Sequence, residues 1–74
     1  MADKVLDASG LRCPMPLLKT RLALSELEPG QQLEVLATDA GSARDIPAWL
    51  AQSTHHLVSV EEGGDQYRFV IRRG

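Results

Sequence analysis

Hydrophobic and polar positions divide the chain into segments of two different periods. Val5-Leu6-Asp7-Ala8 is a short strand-like run that Ser9-Gly10 brings to a turn. From about Pro14 to Glu26 the apolar residues recur at helical spacing. Leu17, Thr20, Ala23, Leu24 and Leu27 fall on one broad face, which is assigned to the core. Met15, Leu18 and Leu22 form a second, narrower stripe, separated from the first by Lys19 with Glu26 and by Arg21 with Ser25. That second stripe either widens the core contact or, if exposed, is a docking surface.

Glu28-Pro29-Gly30 ends the helix, and Gln32 to Thr38 alternates as a strand, with Leu33, Val35 and Ala37 opposite Glu34, Leu36 and Thr38. A strand, a helix and a strand of these lengths form a right-handed crossover with parallel strands. Asp39-Ala40-Gly41-Ser42 is the next turn. Asp39 or Ser42 can cap a second helix, and Ser42 with Asp45 fits a capping box. Pro47 predicts a distorted first turn, followed by a regular stretch through Trp49, Leu50 and Gln52. His56 to Glu61 and Gln66 to Arg72 are the third and fourth strands, joined by a hairpin at Glu62-Gly63-Gly64-Asp65. Tyr67, Phe69 and Ile71 alternate with Arg68, Val70 and Arg72, so one side faces the helices. The order βαβαββ defines an α+β domain with two helices on one face of a four-stranded mixed sheet.

Length and composition narrow the function more than the fold. The 74 residues make one domain, residues 1–74, with room for one modest core. A formal net charge of −2 gives no electrostatic footprint for nucleic acid or an anionic membrane. A single cysteine cannot form an internal disulfide, and a secreted domain of this size usually carries several. Asp3 and Lys4 without a long apolar run do not read as a signal peptide, so a cytoplasmic location is expected.

That cysteine sits in Leu11-Arg12-Cys13-Pro14-Met15-Pro16, where the first strand gives way to the first helix. Pro14 suits the first helical position, where a missing N–H costs nothing. The first turn presents unpaired N–H groups and the positive end of the macrodipole. Pro14 and Pro16 remove two of those donors, which leaves the Met15 N–H to reach the sulfur. With Arg12 adjacent, the expectation is a lowered thiol pKa and a reactive, accessible nucleophile. The plainer alternative is a small apolar residue packed under a turn.

Other candidates are weaker. Adjacent His55 and His56 point to opposite faces of an extended strand and have no acid or cysteine at ligand spacing, so no metal site is expected. Arg68, Arg72 and Arg73 with Tyr67 and Phe69 resemble a small basic–aromatic surface, but Glu61, Glu62 and Asp65 share the hairpin. Arg44-Asp45-Ile46-Pro47 is either local helix-start chemistry or a rim beside Cys13. The turn after the second strand and the start of the first helix lie at the same end of a βαβ unit, so Asp39 and Cys13 should be neighbours.

With these residues laid out, the chain resembles the TusA (SirA-like) sulfur-carrier family. The matching features are Leu6-Asp7-Ala8, Gly10-Leu11-Arg12-Cys13-Pro14 with Pro16, Pro29-Gly30, Arg44-Asp45-Ile46-Pro47, and a closing strand with Tyr67 and Ile71-Arg72. The resemblance covers nearly the whole chain, and the Cys-Pro-x-Pro element in its strand–turn–helix setting is quite specific. It implies a two-layer α/β sandwich like the C-terminal domain of bacterial translation initiation factor three, with strand order 1-2-4-3 and the last strand antiparallel. It also implies that Cys13 accepts sulfane sulfur as a persulfide from a cysteine desulfurase, a pyridoxal-phosphate enzyme, or another sulfane-sulfur donor, and passes it to an acceptor protein. Family destinations include 2-thiolation of tRNA wobble uridine, molybdenum-cofactor synthesis and sulfur oxidation. Arg21 and Asp39 match positions on the family's partner-facing surface. Met15 departs from the acidic residue common in the tRNA-pathway members, which leaves the pathway open.

The resulting expectation is a sulfurtransferase of the relay kind, without stand-alone turnover. Cys13 is the nucleophile, and Arg12, Pro14, Met15 and Pro16 favour its thiolate. Met15, Leu18, Arg21, Asp39, Arg44 and Asp45 form the docking face. No bound cofactor is expected beyond the covalent persulfide, no direct nucleic-acid or membrane partner, and a monomeric state. The rivals are a thiol redox sensor and an RNA- or protein-binding regulatory module in which Cys13 is incidental.

Overall fold

The computed structural model describes residues 2–74. Its elements are β1 (Lys4–Ala8), α1 (Met15–Ser25), β2 (Gln32–Ala37), α2 (Ala40–Ala51), β3 (His56–Gly63) and β4 (Gln66–Arg72). The strands form one sheet in the order β1-β2-β4-β3. β1 and β2 run parallel, and β4 lies antiparallel to both β2 and β3. Strand order and mixed pairing agree with the expected sandwich.

Register explains the core. Leu6, Val35, Phe69 and Val60 make one cross-sheet row, and Leu33, Ile71 and Leu57 lie in the row beside it. Because side chains alternate along a strand, these rows face the helices together. Leu33, Val35, Ala37, Phe69 and Ile71 are fully buried there. From above, α1 contributes Ala23 and Leu24, and α2 contributes Ile46 and Leu50. Thr20 is buried among them, its hydroxyl donating to the Pro16 carbonyl at 2.7 Å. That bond satisfies the polar atom inside the helix itself.

Three expectations change in detail. Asp39, not Ser42, is the N-cap of α2: its backbone is extended and its carboxylate accepts the Ser42 N–H. Asp45 therefore closes no capping box with Ser42. Pro47 lies well inside a continuous α2, not in its first turn. The β3–β4 hairpin is tighter than the expected four residues. Gly63 pairs with Gln66, and the turn is Gly64-Asp65 with Gly64 at φ +59°.

Candidate functional site

The residues leading to Cys13 are held at each step. Asp7 Oδ1 accepts the Ser9 N–H at 3.0 Å, and the Ser9 side chain first, then this backbone bond, hold its carboxyl below the ordinary aspartate value. Gly10, at φ +80°, turns the chain and donates its N–H to Thr38 Oγ1 at 2.8 Å. The Cys13 N–H donates to Asp39 Oδ2 at 3.2 Å, so the carboxylate that caps α2 also fixes Cys13. Cys13 and Asp39 are neighbours, as the topology of the βαβ unit requires. Gly41 leaves little spare room, since a Cβ there would stand 3.4 Å from the Cys13 Cβ and 3.0 Å from Asp39 Oδ2. The Cys13–Pro14 peptide is cis.

The thiol's environment is the opposite of the one expected. The Met15 N–H donates to the Arg12 carbonyl at 2.8 Å, closing a turn instead of reaching the sulfur. Pro14 is the N-cap of α1, one position earlier than expected, and Pro16 falls in the first turn. Cys13 Sγ–H donates to Asp45 Oδ2 at 2.7 Å. That hydrogen bond is the main cause that raises the thiol pKa, helped by desolvation and by the charges of Asp45 and Asp39, while Arg44 opposes them. The resting sulfur is an exposed, free thiol held in its neutral form.

The second stripe of α1 settles as surface. Met15, Leu18 and Leu22 are 42%, 46% and 63% exposed and run from beside Cys13 along the helix. Arg21 stands alongside, its guanidinium 5.6 Å from the centre of the Trp49 ring. Leu18, Arg21, Leu22, Trp49, His55 and Arg73 line an open groove of about 540 Å³. Trp49, His55 and Arg73 were not among the expected docking residues, because only the packing of α2 and the chain end against α1 brings them to this groove. The lone tryptophan on α2 was the available signal.

His55 is not a free surface histidine. Its ring lies 5.6 Å from that of Trp49, and its Nδ1 accepts the Gly74 N–H at 3.1 Å, which requires the neutral ring. Burial first, then the charges of Arg73 and His56, lower its pKa. Between the lowered folded value and the ordinary one, the unfolded chain binds the proton and the folded chain does not. Stability should therefore fall as pH drops below about 6.5. Thermal melts of wild type and His55→Gln across that range should show a steeper loss in wild type.

The basic–aromatic surface is not assembled. Phe69 is buried, and Arg68 pairs with Glu34 at 3.1 Å and with Glu61 at 2.9 Å. Among the described residues, no three His, Cys, Asp or Glu side chains converge as a metal cluster, and no helix is long and apolar enough to cross a membrane.

Fold and site together define a small α+β domain that presents one cysteine at a strand–helix junction, with an apolar helix face beside it. Residues 4–73 match the family model described as sulfurtransferase TusA. The putative sulfur carrier protein YrkI of Bacillus subtilis is 49% identical over 73 residues, covering 99% of this chain and 97% of that protein. The sulfur carrier protein TusA of Allochromatium vinosum is 41% identical over 71 residues, covering 96% and 93%. The crystal structure of a SirA-like protein from Desulfitobacterium hafniense superposes with a TM-score of 0.82 at 25% identity, covering 96% of this chain and 97% of that one. The chain belongs to the TusA family of sulfur carriers.

Proposed function

We propose that this protein holds sulfane sulfur as a persulfide on Cys13 and relays it between two proteins. The observation that carries the reading is the single, exposed, unpaired cysteine at the junction that the family motif occupies. The donor is a cysteine desulfurase or another source of sulfane sulfur. The acceptor belongs to a tRNA-thiolation, molybdenum-cofactor or sulfur-oxidation route. With no second thiol in the chain, a persulfide on Cys13 is not lost to an internal disulfide. Met15, Leu18 and Arg21 supply the docking contacts, with Arg44 at the rim and Asp39 holding Cys13 in place. A redox sensor is less well supported, because the chain has no second cysteine to resolve an oxidised Cys13.

Intact-mass spectrometry after incubation with a cysteine desulfurase, pyridoxal phosphate and free cysteine tests the reading. A gain of about 32 Da, reversed by a thiol reductant, is expected. No gain with the desulfurase or with a panel of other sulfane-sulfur donors would reject it. Arg21→Ala should slow donor-driven persulfidation by roughly five- to thirtyfold, the range of a docking arginine, without moving the titration of the thiol. A large shift of that titration would mean that Arg21 acts on the sulfur instead.

A further inference from the structure

Cys13 stands between two carboxylates that are engaged differently. Asp39 Oδ2 accepts the Cys13 N–H, the Ser42 N–H and the Ser42 hydroxyl at 3.2, 3.0 and 3.2 Å. It is built into the start of α2 and acts on backbone. Asp45 Oδ2 accepts the Cys13 Sγ–H at 2.7 Å. Among the described residues, no cationic nitrogen lies within 4.0 Å of the Asp45 carboxylate, although Arg44 adjoins it in sequence. Asp45 is half-buried at the edge of the site, open on one side to whatever docks there.

This arrangement opposes the chemistry that a carrier needs. Attack on a persulfide requires the thiolate, and a carboxylate in contact with the sulfur disfavours a second negative charge. The charged groups around the sulfur are Asp45 and Asp39, which resist ionisation, and Arg44, which favours it; Arg12 precedes Cys13 in sequence and bonds neither carboxylate. No cationic side chain of the described residues pairs directly with Asp45, so its carboxylate is free to meet a cation on a docking partner.

We propose that Asp45 is a latch on Cys13: it holds the empty carrier as a neutral thiol until a sulfur donor sets a lysine or arginine side chain against the Asp45 carboxylate. This rests on the carrier reading. Pairing removes the acceptor and neutralises its charge, and the Sγ proton passes to water. The thiolate then attacks the terminal sulfur of the donor's R–S–SH group. A bond forms between Cys13 Sγ and that sulfur, the donor's S–S bond breaks, and the donor cysteine leaves as a thiolate that takes a proton from water. One proton is released and one taken up, with no external oxidant or reductant. Sγ now bears sulfur in place of its proton, so the Sγ–H bond to Asp45 belongs to the empty carrier alone.

Two measurements test the latch. In the isolated protein, the pH profile of alkylation by iodoacetamide should lie at higher pH in wild type than in Asp45→Asn. The variant should react about three- to tenfold faster at neutral pH. Coincident profiles would overturn the latch. Titration of the wild-type thiolate by its ultraviolet absorbance checks the same point without a variant, and a pKa at or below that of free cysteine would count against the latch. The second measurement is the initial rate of persulfidation by a cysteine desulfurase with pyridoxal phosphate and free cysteine, across a series of salt concentrations. Wild type should slow more steeply with salt than Asp45→Asn, because the variant lacks the charge that the donor's cation meets. Equal salt slopes would overturn the part played by the donor. If wild type takes up no sulfur from the desulfurase or from a panel of other sulfane-sulfur donors, the carrier reading fails, and the alkylation profiles still decide whether Asp45 restrains the thiol.

Discussion

Replacing Cys13 by alanine should abolish persulfide formation while leaving the fold and its melting temperature unchanged. The side chain is exposed and lies outside the buried cluster formed by Ala23, Leu24, Leu33, Val35, Ala37, Ile46, Leu50, Phe69 and Ile71. Its loss creates no cavity, and surface substitutions of this kind leave stability nearly untouched. The one side-chain hydrogen bond removed, Sγ–H to Asp45, leaves a carboxylate at an exposed edge where water replaces the thiol. The Cys13 N–H to Asp39 bond is backbone and survives. Since the chain has one cysteine, no other thiol can take over the sulfur. The check is intact mass beside circular-dichroism melts of both proteins. A mutant that still passes sulfur at the wild-type rate would end the carrier reading.

Phe69→Ala should have the opposite signature, a collapse of stability that takes activity with it. Phe69 is the largest fully buried side chain, at the centre of the row Leu6–Val35–Phe69–Val60. Truncation of a buried phenylalanine costs about 3–5 kcal/mol through lost transfer energy and the cavity left behind. A single-core domain of this length has only about 3–5 kcal/mol in hand, so the variant should be largely unfolded at room temperature. Phe69→Leu keeps most of the volume and should cost roughly 1.5 kcal/mol or less. Urea titrations of the three proteins would show the ordering. A Phe69→Ala variant as stable as wild type would mean that the sheet is not sealed by this residue.

The elements and their buried faces were legible because period and register are the same information. Leu33, Val35 and Ala37 alternate in the sequence and all three are buried in β2. The meeting of Cys13 with Asp39 followed from topology alone, since both residues belong to the same end of the βαβ unit. Strand order came from the family resemblance and not from periodicity. The sign of the thiol pKa was not legible. Sequence displays Arg12 and a helix start next to Cys13, but the deciding partner, Asp45, is 32 residues away on another helix. Nor does sequence tell that the Met15 N–H closes a turn onto Arg12. A helix starting near Ser42 would hold Pro47 close to its first turn. Capping by Asp39 starts α2 at Ala40 and places the proline deeper in it.

The bond from the Cys13 N–H to Asp39 has a consequence for traffic. The backbone at the sulfur's root is fastened to the cap of α2, so the thiol does not ride on a flexible arm. On the carrier reading, only rotation within the cysteine side chain is left to aim the cargo. Both the supplier and the receiver must then approach the same small area around Cys13, and each excludes the other while it is there. Loading and delivery become separate visits, and each protein must leave its supplier before a receiver can reach the sulfur.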